Sequence, residues 1–164
     1  MLWKAGEGDP YVLLASLLPE VGGVEPLPEI ARQPGGKPYF PSHPDLHFSV
    51  SHSGALSLCA LGEAPVGADV ELVRPRSGRL PRYALSDGEY AWYRERGGRW
   101  EDFYTLWTLK EARVKCTGEG IFQMSPRRIS VPLLLPGQTA RWEGFSFTAL
   151  AGENWRGAVC LKIL

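Results

Sequence analysis

Hydrophobic and polar positions alternate most clearly over residues 47–73. HFSVSHS (47–53) and ALSLCALG (55–62) each run with period two and are separated by Gly54, which predicts a β-hairpin. After a turn at Glu63–Pro65, VGADVELV (66–73) alternates again and reads as a third strand. Its small or apolar residues Val66, Ala68, Val70 and Leu72 form one oily face, so Asp69 and Glu71 fall together on the other. Upstream, YVLLASLL (11–18) reads as a short helix ended by Pro19. Residues 19–46 are rich in Pro and Gly and read as loop, with a brief helical turn near Pro28–Arg32. Residues 74–82 (RPRSGRLPR) read as loop, Tyr83–Arg96 as partly helical, and Gly97-Gly98 as a break.

The strongest helical pattern is WEDFYTLWTLKEARVKCTGEG (100–120), in which Phe103, Leu106, Trp107 and Val114 recur at helical spacing. Thr117-Gly118 supplies a stop, with Gly where a left-handed residue closes a helix. ISVPLLL (129–135), FSFTAL (145–150) and AVCLKIL (158–164) are strand candidates, with a bend at Gly144 in RWEGFSF. The strands lie too close in sequence for parallel crossovers. The expectation is therefore an α+β fold with mostly antiparallel pairing.

Composition narrows the class. The chain has 164 residues, enough for one compact core, and 44% apolar residues argue against disorder. Lys plus Arg equals Asp plus Glu at 18 each, which argues against a general nucleic-acid-binding surface. The charge is unevenly spread. Residues 72–100 carry seven arginines (74, 76, 79, 82, 94, 96, 99) against Asp87, Glu89 and Glu95, a net 7 − 3 = +4. Such a segment suits either a solvated flap or an acidic partner. Cys59, Cys116 and Cys160 lack metal-ligand spacing, and Cys59 and Cys160 lie in apolar runs, which suits a reducing cytoplasmic setting. MLWKAGEGDP shows no signal-peptide pattern, and no apolar run is long enough to cross a bilayer, so no membrane association is expected.

Candidate chemistry centres on carboxylates. On one strand face Asp69 and Glu71 stand roughly 6–7 Å apart. Alone, that pair fits a solvated edge strand. On the helix, however, Trp107, Glu111 and Lys115 are spaced i, i+4, i+8, which puts Glu111 at the margin of the core, where it can meet the strand acids. Three carboxylates plus waters suit Mg²⁺, whose remaining positions fall to phosphate oxygens. Lys110 and Lys115 flank Glu111, Lys37 follows Gly35-Gly36, and His52 sits at a strand end, where it also reads as a hydrogen-bonded hairpin residue. TGEG (117–120) lacks the spacing and lysine of a Walker loop.

GKPYF (36–40), FSVSHSG (48–54), VGADVE (66–71) and WTLKEARVKCTGEG (107–120), in that order, resemble the 4′-phosphopantetheinyl transferases of the surfactin-synthetase-activating type. The family pattern is G-[IV]-D-[IV]-E, followed some forty residues later by W-[STC]-x-K-E-[SA]-x-x-K. The second element matches fully, and the first departs only at Ala68, which should face the core. The resemblance covers residues 30 to about 122. It implies two pseudo-symmetric α+β half-domains, residues 1–65 and 66–164, each a small, mostly antiparallel sheet on a long helix.

The resemblance also implies transfer of the 4′-phosphopantetheine arm of coenzyme A to a serine of a carrier protein, with Mg²⁺ as cofactor and adenosine 3′,5′-bisphosphate released. Matching positions for the metal are Asp69, Glu71 and Glu111, with Glu111 also activating the serine. Lys115 and His52 match residues on the diphosphate, Lys37 the adenosine end, Arg32 the 3′-phosphate, and Ser51 and Lys110 supporting contacts. The family's amino-terminal half usually carries more bases, whereas only Lys4 and Arg32 precede Lys37 here, so weaker discrimination against 3′-dephospho-coenzyme A is expected. An apo carrier protein docking on 72–100 and a monomeric state are expected. A Mg²⁺-dependent phosphohydrolase acting on a nucleotide and an inactive carrier-binding relative are the rival readings.

Overall fold

The structure, a computed structural model, describes residues 1–21, 23–118 and 125–163. Its elements are β1 (Leu2–Glu7), α1 (Pro10–Leu17), β2 (Ala31–Arg32), β3 (Pro38–Tyr39), β4 (His47–Ser53), β5 (Leu56–Gly62), β6 (Val66–Leu72), α2 (Leu80–Ala84), α3 (Asp87–Glu95), α4 (Trp100–Thr117), β7 (Thr139–Trp142), β8 (Phe145–Ala151) and β9 (Trp155–Lys162). The strands form a three-stranded sheet ordered β1-β5-β4, a β2-β3 pair, and a four-stranded sheet ordered β6-β9-β8-β7. Every sheet pairing among the described residues is antiparallel, including β1 with β5 and β6 with β9, which lie far apart in sequence.

Alternation along the strands sorts side chains into three cores. Phe48, Cys59 and Leu61 pack on Leu14, Leu17 and Leu18 around α1. Leu58 and Ala60 of the first sheet meet Val66, Ala68, Val70, Leu150 and Val159 of the second. Phe147, Ala149, Ala158 and Cys160, on the second sheet's other face, pack against Phe103, Leu106, Leu109 and Ala112 of α4. Helix, sheet, sheet and helix thus stack as layers. No described helix is long and apolar enough to cross a membrane.

Several expectations are corrected. The sheet of the first half packs on a helix of eight residues instead of a long one, because Pro19 and the turn at Leu18–Glu20 end it. No helical turn forms at 28–32. Ala31–Arg32 instead pairs with Pro38–Tyr39 across the Pro34-Gly35-Gly36 loop. The 129–135 run forms no strand, since Pro132 removes a ladder donor, yet Ile129, Val131 and Leu134 still enter the core. Helix α4 ends at Thr117 with Gly118 left-handed at φ 76°, as its sequence predicts. Glu119 and Gly120, which complete the predicted helical segment and TGEG, and Leu164 lie outside the described residues. The bend at Gly144 is a two-residue hairpin turn, Glu143-Gly144, with both φ values positive.

Candidate active site

Strand β6 is buried on both faces, not on one. Ala68 lies in the core, as its departure from the family pattern requires, while Gly67, Asp69 and Glu71 face the α4 side. The contact is close. A Cβ on Gly67 would lie 1.9 Å from the Ala112 carbonyl oxygen and 2.5 Å from the Cys116 nitrogen, so glycine lets the helix backbone rest on the strand. The carboxylates two and four residues on are thereby brought under the helix that carries Glu111 and Lys115.

Asp69 is 4% exposed. Its Oδ1 accepts from Lys115 Nζ at 2.7 Å and from Ser51 Oγ at 3.0 Å, whereas its Oδ2 is buried with no hydrogen-bond partner. Burial pushes its pKa up, Lys115 opposes this, and Glu71 adds to it. Glu111 is buried, and burial, then the Asp69 charge, raise its pKa to about 7, with Lys115 opposing and Glu71 adding. The three acids therefore sense one another. Among the described residues, however, no group of three or more His, Cys, Asp or Glu side chains is arranged as a ready metal cage.

A device unseen at the level of sequence joins the two sheets. Strands β4 and β6 lie side by side and run in the same direction, linked by serine side chains. The backbone N–H groups of Ala68, Val70 and Leu72 donate to Ser49, Ser51 and Ser53 at 3.0, 3.3 and 3.1 Å. Ser51 and Ser53 in turn donate to Asp69 and to Glu71 Oε2, at 3.0 and 3.1 Å. The S-x-S-x-S spacing in FSVSHS was a readable sign of one serine-lined strand face, but not of its partner.

Beside this joint lies a cleft of about 450 Å³. Arg32, Lys37, His52 and Lys115 line it, with Tyr11, Pro38 and Val50 as apolar wall. Lys115 also donates to Ser51 at 3.0 Å and links the cleft to the carboxylates, which do not themselves line it. Lys37 donates to the carbonyls of Cys116 and Val66 at 2.5 and 3.3 Å, which anchors the cleft to the end of α4, and burial lowers its pKa. Arg32 is exposed and donates to Gly36 O at 2.9 Å. Lys4 instead donates to Ser16 of α1 and is not among the cleft residues.

Lys110 departs from its expected contact with the cofactor. It is fully buried away from the cleft, paired with Glu89 at 2.8 Å and donating to the carbonyls of Pro126 and Ile129 at 2.9 and 2.6 Å. Adjacent helix positions diverge by about 100°, so Glu111 and Lys110 serve different sides of α4.

The model of the 4′-phosphopantetheinyl transferase superfamily matches residues 65–160, which hold β6, α4 and the acidic trio. The chain belongs to this superfamily. Relatives include 4′-phosphopantetheinyl transferase Sfp of Bacillus subtilis (strain 168), 36% identical over 88 residues, covering 52% of this chain and 39% of the relative. The transferase gsp of Aneurinibacillus migulanus is 32% identical over 89 residues, 53% of this chain and 37% of the relative. AcpT of Salmonella typhi is 37% identical over 139 residues, 82% of this chain and 65% of the relative. The chain thus spans about two fifths of the length of the Bacillus relatives it matches.

Proposed function

We propose that this chain transfers the 4′-phosphopantetheine arm of coenzyme A to a serine of an acyl, peptidyl or aryl carrier protein, with Mg²⁺ as cofactor and adenosine 3′,5′-bisphosphate released, in the cytoplasm and as a monomer. The observation that carries this reading is the link from a cationic cleft through Lys115 to Asp69, a buried member of the acidic trio. Lys115 lines the cleft with Arg32, Lys37 and His52, and its Nζ holds Asp69. The names of the curated relatives agree with this reading.

The donor set suits a hard divalent cation. Asp69 Oδ2 is buried and unpartnered, and burial first, then the charges of Asp69 and Glu71, hold the Glu111 pKa above the usual carboxylate range, which an added positive charge would offset. Asp69, Glu71 and Glu111 would hold it, and the ion would supply charge neutralisation to a diphosphate. The chain's own groups do the rest. His52 and Lys115 donate to phosphate oxygens, Arg32 and Lys37 hold the nucleotide end, and Tyr11, Pro38 and Val50 cover its apolar parts. Phosphoryl transfer relies on such positioning and electrostatics more than on covalent help. Glu111, the carboxylate that α4 contributes to the trio, takes the proton of the incoming serine hydroxyl directly or through a water.

We read residues 1–65 and 66–164 as the two halves flanking this cleft. The carrier docks on the exposed arginines of 73–79. Arg82 is tied to Asp87, and Arg96 and Arg99 to Asp102, so those three serve the fold. The deciding experiment is mass spectrometry of apo carrier protein incubated with this protein, coenzyme A and Mg²⁺. The carrier gains the mass of the arm, and Glu71→Ala or Lys115→Ala prevents the gain. Hydrolysis of coenzyme A with no modified carrier would instead favour a phosphohydrolase.

A further inference from the structure

The serine joint repeats a rule with one instructive exception. Each serine accepts the N–H nineteen residues ahead, and Ser51 and Ser53 donate to the side chain eighteen residues ahead. For Ser49 that position is Gly67, which has no side chain. Ser49 therefore performs only the strand-joining half of the task. Ser51 and Ser53 perform both, and Ser51 also accepts from Lys115.

We propose that Ser53 is a positioning residue for a divalent cation: its hydroxyl, fixed by the Leu72 N–H, orients the Glu71 carboxylate through Oε2. This rests on the reading of Asp69, Glu71 and Glu111 as cation ligands. Glu71 is the half-buried member of the trio, so packing alone leaves its rotamer least constrained. Ser53 is 7% exposed, sits on a strand and is held from behind by a backbone donor at 3.1 Å. A hydroxyl that accepts from an N–H while donating to a carboxylate is a polarised, charge-assisted donor with little freedom to turn. Outer partners of this kind orient metal-ligating carboxylates, and losing one costs about 10–100-fold in metal affinity. Ser49 serves as the internal control in the absence of coenzyme A, because it makes the same joint with no carboxylate attached, although it also lines the cleft.

The test is Mn²⁺ binding, followed by the paramagnetic resonance signal of the free ion, with and without coenzyme A. The proteins are the wild-type chain, Ser53→Ala, Ser53→Thr and Ser49→Ala, each checked for folding by circular dichroism. Expected are a loss of about 10-fold or more in Mn²⁺ affinity for Ser53→Ala, near wild-type affinity for Ser49→Ala in the absence of coenzyme A even where its melting temperature falls, and recovery in Ser53→Thr, which keeps the hydroxyl. Equal losses in Ser53→Ala and Ser49→Ala without coenzyme A, wild-type affinity in Ser53→Ala, or no recovery in a folded Ser53→Thr would overturn the positioning role and leave the metal reading standing. A wild-type chain that binds Mn²⁺ in neither condition overturns the metal reading, and the positioning role with it.

Discussion

Gly67 on β6 touches Ala112 on α4 backbone to backbone, so closely that a methyl group on Gly67 would overlap the Ala112 carbonyl oxygen at 1.9 Å. Everything at the candidate site depends on this approach, because it sets the height of α4 above Asp69 and Glu71. The obstacle is helix backbone, not a flexible side-chain tip. Gly67→Ala is therefore expected to destabilise the fold by about 3 kcal/mol or more, read as a lower urea midpoint. It should also separate Lys115 from Asp69 in whatever fraction stays folded.

Lys115 is the cation nearest Asp69, with side-chain exposures of 30% and 6%. Lys115→Met leaves the Asp69 carboxylate buried without its cation. The expected loss is about 2–3 kcal/mol, below the full cost of breaking a buried pair because the lysine is partly exposed. Without Lys115 the Asp69 pKa rises further, so the loss is larger at higher pH and shrinks as the pH falls and the acid takes up its proton. Adding Asp69→Asn to Lys115→Met recovers stability, and denaturant melts of the four proteins in the cycle measure the coupling.

Lys110 and Glu89 form a pair with side-chain exposures of 1% and 6% on the other side of α4. Glu89 also accepts from the Ser86 N–H and so closes the capping box of α3. Lys110→Met is expected to cost about 3–5 kcal/mol by stranding Glu89, while coenzyme A affinity of the folded protein stays unchanged. Calorimetric titration with coenzyme A, beside chemical denaturation, separates the two. Weakened coenzyme A binding with intact stability would return Lys110 to the cleft.

Glu111 predicts a pH dependence of a definite sign. Its folded pKa of about 7 lies above the ordinary value of 4.5, so the folded chain holds its proton where the unfolded chain has lost it. Stability on this account is full below about pH 4.5, falls as pH rises toward 7 and levels off above it, by at most about 3 kcal/mol. In divalent-free buffer, Glu111→Gln removes that part of the slope. Melting temperatures from pH 5 to 8 for both proteins measure the difference.

Six of the seven arginines of the segment fall into two groups, with the exposed Arg94 on α3 outside both. Arg74, Arg76 and Arg79 are exposed on the loop before α2, and Arg76 donates to Tyr104. Reversing all three to Glu is expected to raise KM for an acidic carrier by about 10-fold or more at low salt, with a smaller effect at high salt. Coenzyme A binding should be spared. An unchanged KM for the carrier would remove this surface from the docking proposal.

The amino-acid sequence by itself determined the local structure of the central elements and the candidate chemistry. Period-two alternation specified β4, β5 and β6, helical spacing with Gly118 specified α4, and the spacing of Asp69, Glu71, Glu111 and Lys115 marked the acidic trio and its cation. These follow from strand and helix geometry, which fixes side-chain directions within a few residues. Only the tertiary structure decided which surfaces those side chains meet. It covered the acidic face of β6 with a helix, turned Lys110 to Glu89 and Lys115 to Asp69, and set Ser49, Ser51 and Ser53 against a strand nineteen residues ahead. It also gave Arg82, Arg96 and Arg99 acidic partners and left Pro132 outside any strand. The physical reason is that periodicity records the direction of a side chain from its own backbone, whereas its partner is supplied by another element brought close by packing.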